Sequence, residues 1–302
     1  MAMSHYLMRS LLFLPGNQEK FCLKAATLPA DGTVIDLEDS VPDSEKPAAR
    51  TMMSEHAPLL AKTGAVWVRV NAHQSTHFAA DIAAVTATSA IGGLMLPKVE
   101  SVDDLREIDA VLARSEAEHG RAAGSLRLLL IIESAKAAWL AYDLATASPR
   151  VESLCFGGAR DGDLMADLGA DWSNDGAAML HARQRVLLAA RAAGCKTPLD
   201  GVFADLRDVE GYERDTRLSR SLGYRGRTVV HPSQIEPANR IYAPTPDEIV
   251  TSRKLLESFE IAAASGRAST VFEGRMIDVA MANAARAVLS AAEITTRDRN
   301  SS

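Results

Sequence analysis

The chain is poor in several features that would each indicate a particular class of protein. Only three of its 302 residues are cysteine, and none forms a C-x-x-C pair, which argues against a disulfide framework or a zinc site. No run of about 18 uninterrupted apolar residues occurs, so no membrane-spanning helix is expected. The net charge of −6 offers no basic surface to nucleic acid or anionic lipid. We therefore expect a cytoplasmic protein with reduced thiols that binds neither nucleic acid nor membranes.

Short apolar runs alternate along the chain with longer segments of helical character. No stretch rich in proline, glycine or serine divides the chain, and no internal repeat is visible. Most of the apolar runs lack polar alternation, which is typical of parallel strands covered on both faces by helices. The eight runs are 10–14, 33–37, 66–70, 93–96, 126–132, 151–156, 197–199 and 228–230.

Eight strand–helix units in about 250 residues are the size of a (β/α)₈ TIM barrel. We predict one barrel domain over residues 1–265 and a C-terminal helical extension over 266–302. The extension holds an extended piece at 270–272 and a helix at 277–293. A doubly wound open sheet is the alternative α/β fold, because one sequence does not reveal the order of the strands.

Ionisable residues directly follow most of the predicted strands. In a barrel these positions meet at the C-terminal mouth, where active sites lie. Carboxylates gathered in one mouth repel each other unless a cation lies among them. Oxygen ligands favour a hard cation, so we expect Mg²⁺, with Mn²⁺ as an alternative. The charged residues at strand ends are Asp36, Glu38, Asp39, Arg69, Lys98, Glu133, Asp161, Asp163, Asp200 and His231.

Two of these residues end strongly apolar strands. Glu133 closes LRLLLIIE, and a carboxylate buried there needs a partner or a metal, so we predict that it is a metal ligand. Arg69 lies at the end of VWVRV, where it could bind a substrate carboxylate through two parallel hydrogen bonds. The alternative for Arg69 is a structural ion pair with Glu133 or Asp36. Among the acids at strand ends, Asp39 could cap the following helix rather than take a direct part in the site.

Nine motifs, taken together, resemble the citrate lyase β-subunit and malyl-CoA lyase family of CoA-ester lyases. They extend over residues 9–284, nearly the whole chain, and each is weak alone. In order they are RSLLFLPGN, VIDLEDSVPDSEKPAAR, VWVRVN, LMLPKVES, IIES, ADLG, LDGVFAD, VVHPSQI and GRMIDVA.

The resemblance implies a Mg²⁺-dependent (β/α)₈ barrel in which Arg69 binds the substrate carboxylate and Glu133 is one metal ligand. The second ligand of the family is an aspartate that follows a Phe-Gly pair after two further residues. Here five residues separate Gly157 from Asp163, so the loop is longer than usual. Counting back from the downstream ADLG motif favours Asp163, and counting forward lands near Arg160 or Asp161.

The resemblance also implies a role for the C-terminal segment. Asp278 in GRMIDVA matches the aspartate that acts as acid and base in malyl-CoA lyases, where a neighbouring subunit delivers it. We therefore expect a homo-oligomer, trimeric or hexameric, whose extension packs on a neighbour. The alternative for Asp278 is a cap at the start of the last helix.

The family binds the CoA part of its substrate at positions that here are Phe13, Leu14, Lys24, Val230 and His231. A solvated lysine and a structural histidine are the alternatives for Lys24 and His231. The function implied is cleavage or formation of a 3-hydroxyacyl-CoA such as malyl-CoA or citramalyl-CoA, giving acetyl-CoA plus glyoxylate or pyruvate.

Three other activities fit the same motifs. The chain could be a citrate lyase β-subunit that acts on a carrier-bound citryl thioester. It could also be a metal-dependent aldolase for hydroxy-keto acids without CoA, or a malyl-CoA thioesterase. The motifs do not distinguish the acyl group, because a methyl substituent changes recognition by only about 1–3 kcal/mol.

Overall fold

The computed structural model describes residues 8–173 and 175–300, with side chains described up to residue 294. Eight parallel strands, each paired with the next and β8 with β1, form a closed barrel. This confirms the predicted (β/α)₈ class and excludes the open sheet. The strands are β1 Ser10–Pro15, β2 Gly32–Asp36, β3 Ala65–Arg69, β4 Gly93–Leu96, β5 Arg127–Ile132, β6 Val151–Phe156, β7 Leu199–Asp200 and β8 Gly226–Val229.

Helices connect the strands around the outside of the barrel. Short 3₁₀ turns at Asp43–Glu45 and Pro232–Gln234 precede two of them. The helices up to the end of the barrel are α1 Glu19–Ala25, α2 Lys46–Leu60, α3 Phe78–Ala87, α4 Val102–Glu118, α5 Ala135–Trp139, α6 Ala141–Thr146, α7 Asp163–Leu168, α8 Ala177–Ala192, α9 Val209–Leu222 and α10 Ile235–Tyr242.

The barrel interior is filled by side chains from the strands. Trp67 is the bulkiest of them and is 1% exposed. A Cβ atom at Gly93, on the neighbouring strand, would lie 2.3 Å from the Trp67 ring, so glycine there makes room for the indole. The cluster around Trp67 consists of Met8, Leu11, Val34, Ala65, Met95, Leu129, Ile131, Cys155 and Leu199.

By its internal contacts the chain divides into two compact units, one up to Arg240 and one from Ile241. The second unit contains α11 (Pro246–Ala264), β9 (Ser269–Phe272), β10 (Arg275–Asp278) and α12 (Val279–Asn300). The domain boundary predicted at residue 265 and the packing of the extension on a neighbour stay predictions.

The second unit has a small core of its own. Thr245 begins α11 through a capping box with Glu248, which satisfies backbone groups at the helix start. The helices α11 and α12 pack together with the β9–β10 hairpin. The buried members of this core are Leu256, Phe259, Ile277, Ala282 and Ala285.

The last helix begins later than predicted. Residues 275–278 form β10, which pairs antiparallel with β9, so α12 starts at Val279 rather than at Ile277. The two strands are joined by Glu273 and Gly274, which both have positive φ, 49° and 77°. Positive φ at both positions of a two-residue loop is the geometry of a tight hairpin turn. Pairing with β9 across this turn holds residues 275–278 in an extended conformation, so the helix begins after them.

Within the described ranges, no helix combines the length and the apolar character needed to cross a membrane.

Candidate active site

Asp36 and Arg69 form an ion pair at the mouth of the barrel. The register of β2 and β3 makes these two residues direct neighbours across the strand pair. Arg69 donates from Nε to Asp36 Oδ1 at 2.7 Å and from Nη2 to Oδ2 at 2.6 Å. Burial alone would raise the pKa of Asp36, but the hydrogen bonds and charge of Arg69 outweigh it and lower the pKa. The structural pairing considered for Arg69 is therefore present, with Asp36 as its partner.

Arg69 is also held on its other sides. Its Nη1 lies 3.1 Å from Glu38 Oε2, and its guanidinium carbon lies 5.2 Å from the centre of the Phe13 ring. Burial alone would lower the pKa of Arg69. The neighbouring carboxylates, Asp36 foremost, outweigh burial and raise the pKa above its ordinary value. The guanidinium is thus fixed in one orientation, and a substrate carboxylate would share it with Asp36 and Glu38.

Two buried polar side chains hold the backbone of the loop after β2, which carries Glu38. Lys46 donates from Nζ to the carbonyl oxygens of Leu37 and Glu38 at 3.0 and 2.9 Å. The side chain of Asn71 donates to the carbonyl of Leu37 at 2.9 Å. A lysine at a helix N-terminus opposes the helix dipole, so Lys46 in SEKPAAR was a signal that sequence analysis missed.

Lys98, the second residue after β4, joins several of the acids. Its ammonium Nζ lies 3.0 Å from Glu38 Oε1, 3.6 Å from Asp39 Oδ1 and 3.9 Å from Asp163 Oδ2. Burial opposes the charge of Lys98, but its close contact with Glu38 and the charges of the other nearby acids outweigh it and raise its pKa. Sequence analysis placed Lys98 and Glu38 at strand ends without giving either a role.

Glu133 follows β5 and is partly buried. Its Oε1 accepts the backbone N–H of Lys98 at 2.8 Å. Burial and then the charge of Glu38 raise the pKa of Glu133 to about 7, with a further contribution from Asp163. A Cβ atom at Gly157, after β6, would lie 2.6 Å from the Cβ of Glu133, so glycine at this position allows Glu133 its place in the mouth.

The two candidates for the second metal ligand lie in different surroundings. Asp163 is the first residue of α7 and lies within reach of the Lys98 ammonium. Asp161 is 81% exposed, and its carboxylate lies 3.6 Å from Nε of Arg160. The structure therefore brings Asp163 to the group that also contains Glu38 and Glu133, while Asp161 pairs within its own loop.

The acid at the end of β7 is taken up by a different ion-pair network. Arg183 donates from Nε to Asp200 at 2.9 Å and from Nη1 to Asp215 at 2.8 Å. Arg227 lies 3.0 Å from the same Asp215. This side of the barrel thus carries buried, mutually neutralised charges, and the acids grouped around Lys98 come from β2, β5 and β6.

The residues matched to CoA binding lie in varied positions. Phe13 packs against the core of the barrel interior, and Leu14 is buried, with 2% of the whole residue exposed. A contact of Leu14 with CoA stays a prediction. Lys24 is exposed on α1. Val230 is 41% exposed and donates its N–H to Gln234 Oε1 at 2.9 Å.

His231 has the structural contact considered for it. Its side chain caps the 3₁₀ turn Pro232–Gln234, where the N–H of Ser233 donates to Nδ1 at 3.2 Å. The ring is exposed, so capping leaves room for a ligand. The contact of His231 with CoA stays a prediction.

Asp278 lies in the second unit, at the end of β10. Its Oδ1 accepts the N–H groups of Ala280 at 2.9 Å and Met281 at 3.3 Å, so it caps α12 as the alternative reading expected. Both of these bonds go to one carboxylate oxygen. Its role as an acid and base is not tested by this contact and stays a prediction.

The arrangement around Glu133 fits a divalent cation. Within the described ranges, no group of three or more His, Cys, Asp or Glu side chains is arranged to enclose a metal. Mg²⁺ is commonly held by one or two carboxylates, with waters and substrate as its remaining ligands. Burial, and then the charge of Glu38 with a smaller part from Asp163, raises the pKa of Glu133, and a cation bound beside these acids would favour their charged forms.

The fold and the site together define an α/β-barrel enzyme with an acidic, cation-attracting mouth. Residues 9–232 match the model of the family described as HpcH/HpaI aldolase/citrate lyase. Citrate lyase subunit beta of Escherichia coli K12 is 34% identical over 290 residues, covering 95% of this chain and 94% of that protein. The chain therefore belongs to the HpcH/HpaI aldolase/citrate lyase family, and the resemblance seen in its motifs is confirmed.

Two further relatives support the same assignment. L-malyl-CoA/β-methylmalyl-CoA lyase of Rhodobacter capsulatus is 31% identical over 312 residues, covering 95% of each chain. The crystal structure of protein CitE from Mycobacterium tuberculosis in complex with magnesium, acetoacetate and coenzyme A is similar, with a TM-score of 0.76. It is 29% identical and covers 95% of this chain and 98% of that one. The predicted enzyme class, a carbon–carbon lyase, is confirmed.

Proposed function

We propose that this chain is a Mg²⁺-dependent lyase that cleaves or forms the carbon–carbon bond of a 3-hydroxyacyl-CoA. Malyl-CoA and citramalyl-CoA are the substrates we favour, with acetyl-CoA and glyoxylate or pyruvate as products. One observation carries the proposal: Glu133, mostly buried at the mouth of the barrel, is close enough to Glu38 and Asp163 for their charges to add to the effect of burial, which together raise its pKa to about 7. The relative named as a malyl-CoA lyase and the solved structure with magnesium and coenzyme A support it.

Glu133 and Asp163 are the residues proposed to hold the metal. When bound, Mg²⁺ supplies Lewis-acid chemistry at the carboxylate and hydroxyl of the substrate. Lys98 positions Glu133 through its backbone N–H. Gly157 leaves space for the same side chain. The chain therefore presents one partly buried and one exposed carboxylate, with room for ligands from the substrate.

Arg69 is proposed to bind the substrate carboxylate. Its guanidinium is oriented by the two hydrogen bonds to Asp36 and lies beside the Phe13 ring. A fixed positive charge stabilises negative charge in the mouth without reorganisation during the reaction. Arginine rather than lysine suits this position because its planar guanidinium matches a carboxylate.

In the cleavage direction, the bond between the hydroxyl-bearing carbon and the α-carbon of the acyl-CoA breaks. The hydroxyl gives its proton to a water molecule as the keto acid forms, and the α-carbon keeps the electron pair as the acetyl-CoA enolate. Asp278, proposed to come from a neighbouring subunit of a homotrimer or hexamer, donates a proton to that carbon. After its own proton goes to that carbon, Asp278 recovers one from water, so that no net proton is gained or lost. General acid–base catalysis of this kind contributes about 10²–10⁴-fold.

A citrate lyase β-subunit acting on a carrier-bound citryl thioester is the second candidate. The 34% identity to citrate lyase subunit beta of Escherichia coli K12 over nearly the whole chain favours it. The same mouth would serve this reaction, because a citryl thioester also carries a hydroxyl and a carboxylate on one carbon. The two candidates differ in whether the chain acts alone on free CoA esters.

The test is incubation of the purified chain with malyl-CoA, methylmalyl-CoA and citramalyl-CoA, with Mg²⁺ and with EDTA. We expect release of glyoxylate or pyruvate that EDTA abolishes. Activity on a carrier-bound thioester but on none of the free esters would identify the β-subunit function. Release of CoA without a keto acid would indicate a thioesterase, and cleavage of free hydroxy-keto acids an aldolase.

Variants of the proposed ligands test the same site. Glu133→Ala and Asp163→Asn should each reduce Mg²⁺-dependent turnover by at least about 10²-fold, or roughly 2.7 kcal/mol of transition-state stabilisation. Asp161→Asn is the matched control. It removes the same charge two residues before Asp163, from a carboxylate that pairs with Arg160. Loss of activity in Asp161→Asn with normal activity in Asp163→Asn would reverse the assignment.

A further inference from the structure

Lys98 contacts the acidic group in two different ways. Its backbone N–H donates to Glu133 at 2.8 Å. Its ammonium lies 3.0 Å from Glu38, 3.6 Å from Asp39 and 3.9 Å from Asp163. One residue therefore orients a proposed metal ligand with its main chain and brings a positive charge to the other ligand with its side chain.

The backbone of Lys98 is held in an uncommon conformation to achieve this. Its φ is 55°, in the left-handed region that costs a side-chain-bearing residue roughly 1–2 kcal/mol. Such conformations persist where surrounding contacts impose them, and they cluster at functional sites. Here the backbone N–H of Lys98 contacts Glu133 and its ammonium contacts Glu38, so both parts of this strained residue are engaged in the site.

The charges around Lys98 are unbalanced. With every acid ionised, five carboxylates face two cationic side chains, which leaves three negative charges. A divalent ion would reduce the excess to one, and without the Lys98 ammonium four negative charges would remain for the metal. The members of this group are Asp36, Glu38, Asp39, Glu133, Asp163, Arg69 and Lys98.

We propose that Lys98 is a built-in counter-ion that competes electrostatically with the divalent metal and weakens its binding. The inference rests on the metal site of the proposed function, with Glu133 and Asp163 as ligands. The ammonium neutralises Glu38 and Asp39, which would otherwise add to the attraction for the metal, and it repels a cation held by Asp163. Lys98 thereby sets the affinity of the site for the metal, in addition to orienting Glu133.

The experiment measures Mn²⁺ binding to the full chain by electron paramagnetic resonance and Mg²⁺ binding by calorimetry, at pH 8 and without substrate. Lys98→Met should bind either metal about tenfold more tightly than the wild type, or roughly 1.4 kcal/mol. Lys98→Gln should behave in the same way, and Lys98→Arg, which keeps the charge, should stay within about twofold of the wild type. Lys196→Met is the matched control, since Lys196 is exposed and precedes β7 at the opposite end of the barrel.

The outcomes separate this inference from the function on which it rests. Tighter binding in Lys98→Met and Lys98→Gln, with wild-type affinity in Lys196→Met, supports the inference. Unchanged or weaker binding in both neutral variants, while the wild type binds metal and Glu133→Ala does not, overturns the role of Lys98 alone. Absence of metal binding in the wild type, or wild-type affinity in Glu133→Ala, overturns the proposed metal site and this inference together.

Discussion

The carboxyl group of Glu133 has its pKa raised to about 7, first by burial and then by the charge of Glu38. In the unfolded chain a glutamate titrates near its ordinary pKa of about 4.3. Between these two values the folded protein holds a proton that the unfolded chain has lost. Linkage then requires that the stability of the metal-free protein falls as the pH rises through this window.

Replacing Glu133 with glutamine removes this penalty. In EDTA at pH 8, Glu133→Gln should be more stable than the wild type by about 2 kcal/mol, and the difference should shrink at pH 5. Urea denaturation at the two pH values measures it. Excess Mg²⁺ should reverse the order, because ligand binding stabilises the wild type.

Glu55, exposed on α2, is the control position. Glu55→Gln should change stability by no more than about 0.5 kcal/mol at either pH, as is usual for surface substitutions. A metal-free Glu133→Gln protein that is less stable than the wild type at pH 8 would show that the Glu133 carboxylate is satisfied without a cation.

At the level of the elements, the eight barrel strands could be read from the sequence because each is a short apolar run covered by helices. The contacts between side chains of different strands could not be read in the same way, because the register between strands is set by the tertiary fold. The ion pair of Asp36 with Arg69 exists because β2 and β3 are in register. The backbone turn at Lys98, with a φ of 55°, has no signal in LMLPKVES.

The late start of the last helix in the second unit has a local cause. The segment Arg275–Asp278 has no alternation of apolar and polar residues, and it becomes a strand through pairing with β9 across a two-residue turn. Pairing of this kind is a tertiary effect that a periodicity argument does not detect. Asp278 consequently ends a strand and caps a helix.

The capping contact allows the chemical role of Asp278 to be separated from its structural one. Asparagine caps helices about as well as aspartate, so Asp278→Asn should keep α12 and the thermal stability. Turnover should nevertheless fall by at least about 10²-fold if Asp278 transfers a proton. Asp278→Ala should lose the same activity and in addition about 1 kcal/mol of stability.

Asp208 offers a matched control, because it caps α9 by accepting the N–H of Gly211 at 2.8 Å. Asp208→Asn makes the same change at another helix start and should keep both activity and stability. Turnover is measured with whichever of malyl-CoA, methylmalyl-CoA and citramalyl-CoA the wild type cleaves. Normal turnover in Asp278→Asn would leave Asp278 with a structural role alone.

At the scale of the whole molecule, the barrel carries the proposed metal ligands and the second unit carries the proposed acid–base group. The family resemblance led us to expect that a neighbouring subunit delivers this group. Closed symmetric oligomers reuse one interface in every subunit, so each active site would combine Glu133 of one chain with Asp278 of another. This expectation concerns assembly and is testable without a structure of the oligomer.

Mixing two inactive variants tests this sharing of residues. Glu133→Ala and Asp278→Asn, co-expressed in equal amounts, should recover up to about one quarter of wild-type activity, because random assembly in a symmetric oligomer pairs two intact residues at that frequency. Either variant alone should stay inactive. No recovery in hybrids whose mixed composition is verified by mass spectrometry would show that each chain supplies its own Asp278.

The central claim is that Glu133 and Asp163 jointly hold one divalent cation at the mouth of the barrel. Anomalous diffraction from crystals grown with Mn²⁺ tests this most directly, since the signal locates the metal independently of the protein atoms. We predict one strong peak with carboxylate oxygens of both residues about 2.1 Å away, the spacing that small divalent cations such as Mg²⁺ adopt. A fully occupied peak that neither carboxylate touches, or no peak at saturating Mn²⁺, would contradict the account.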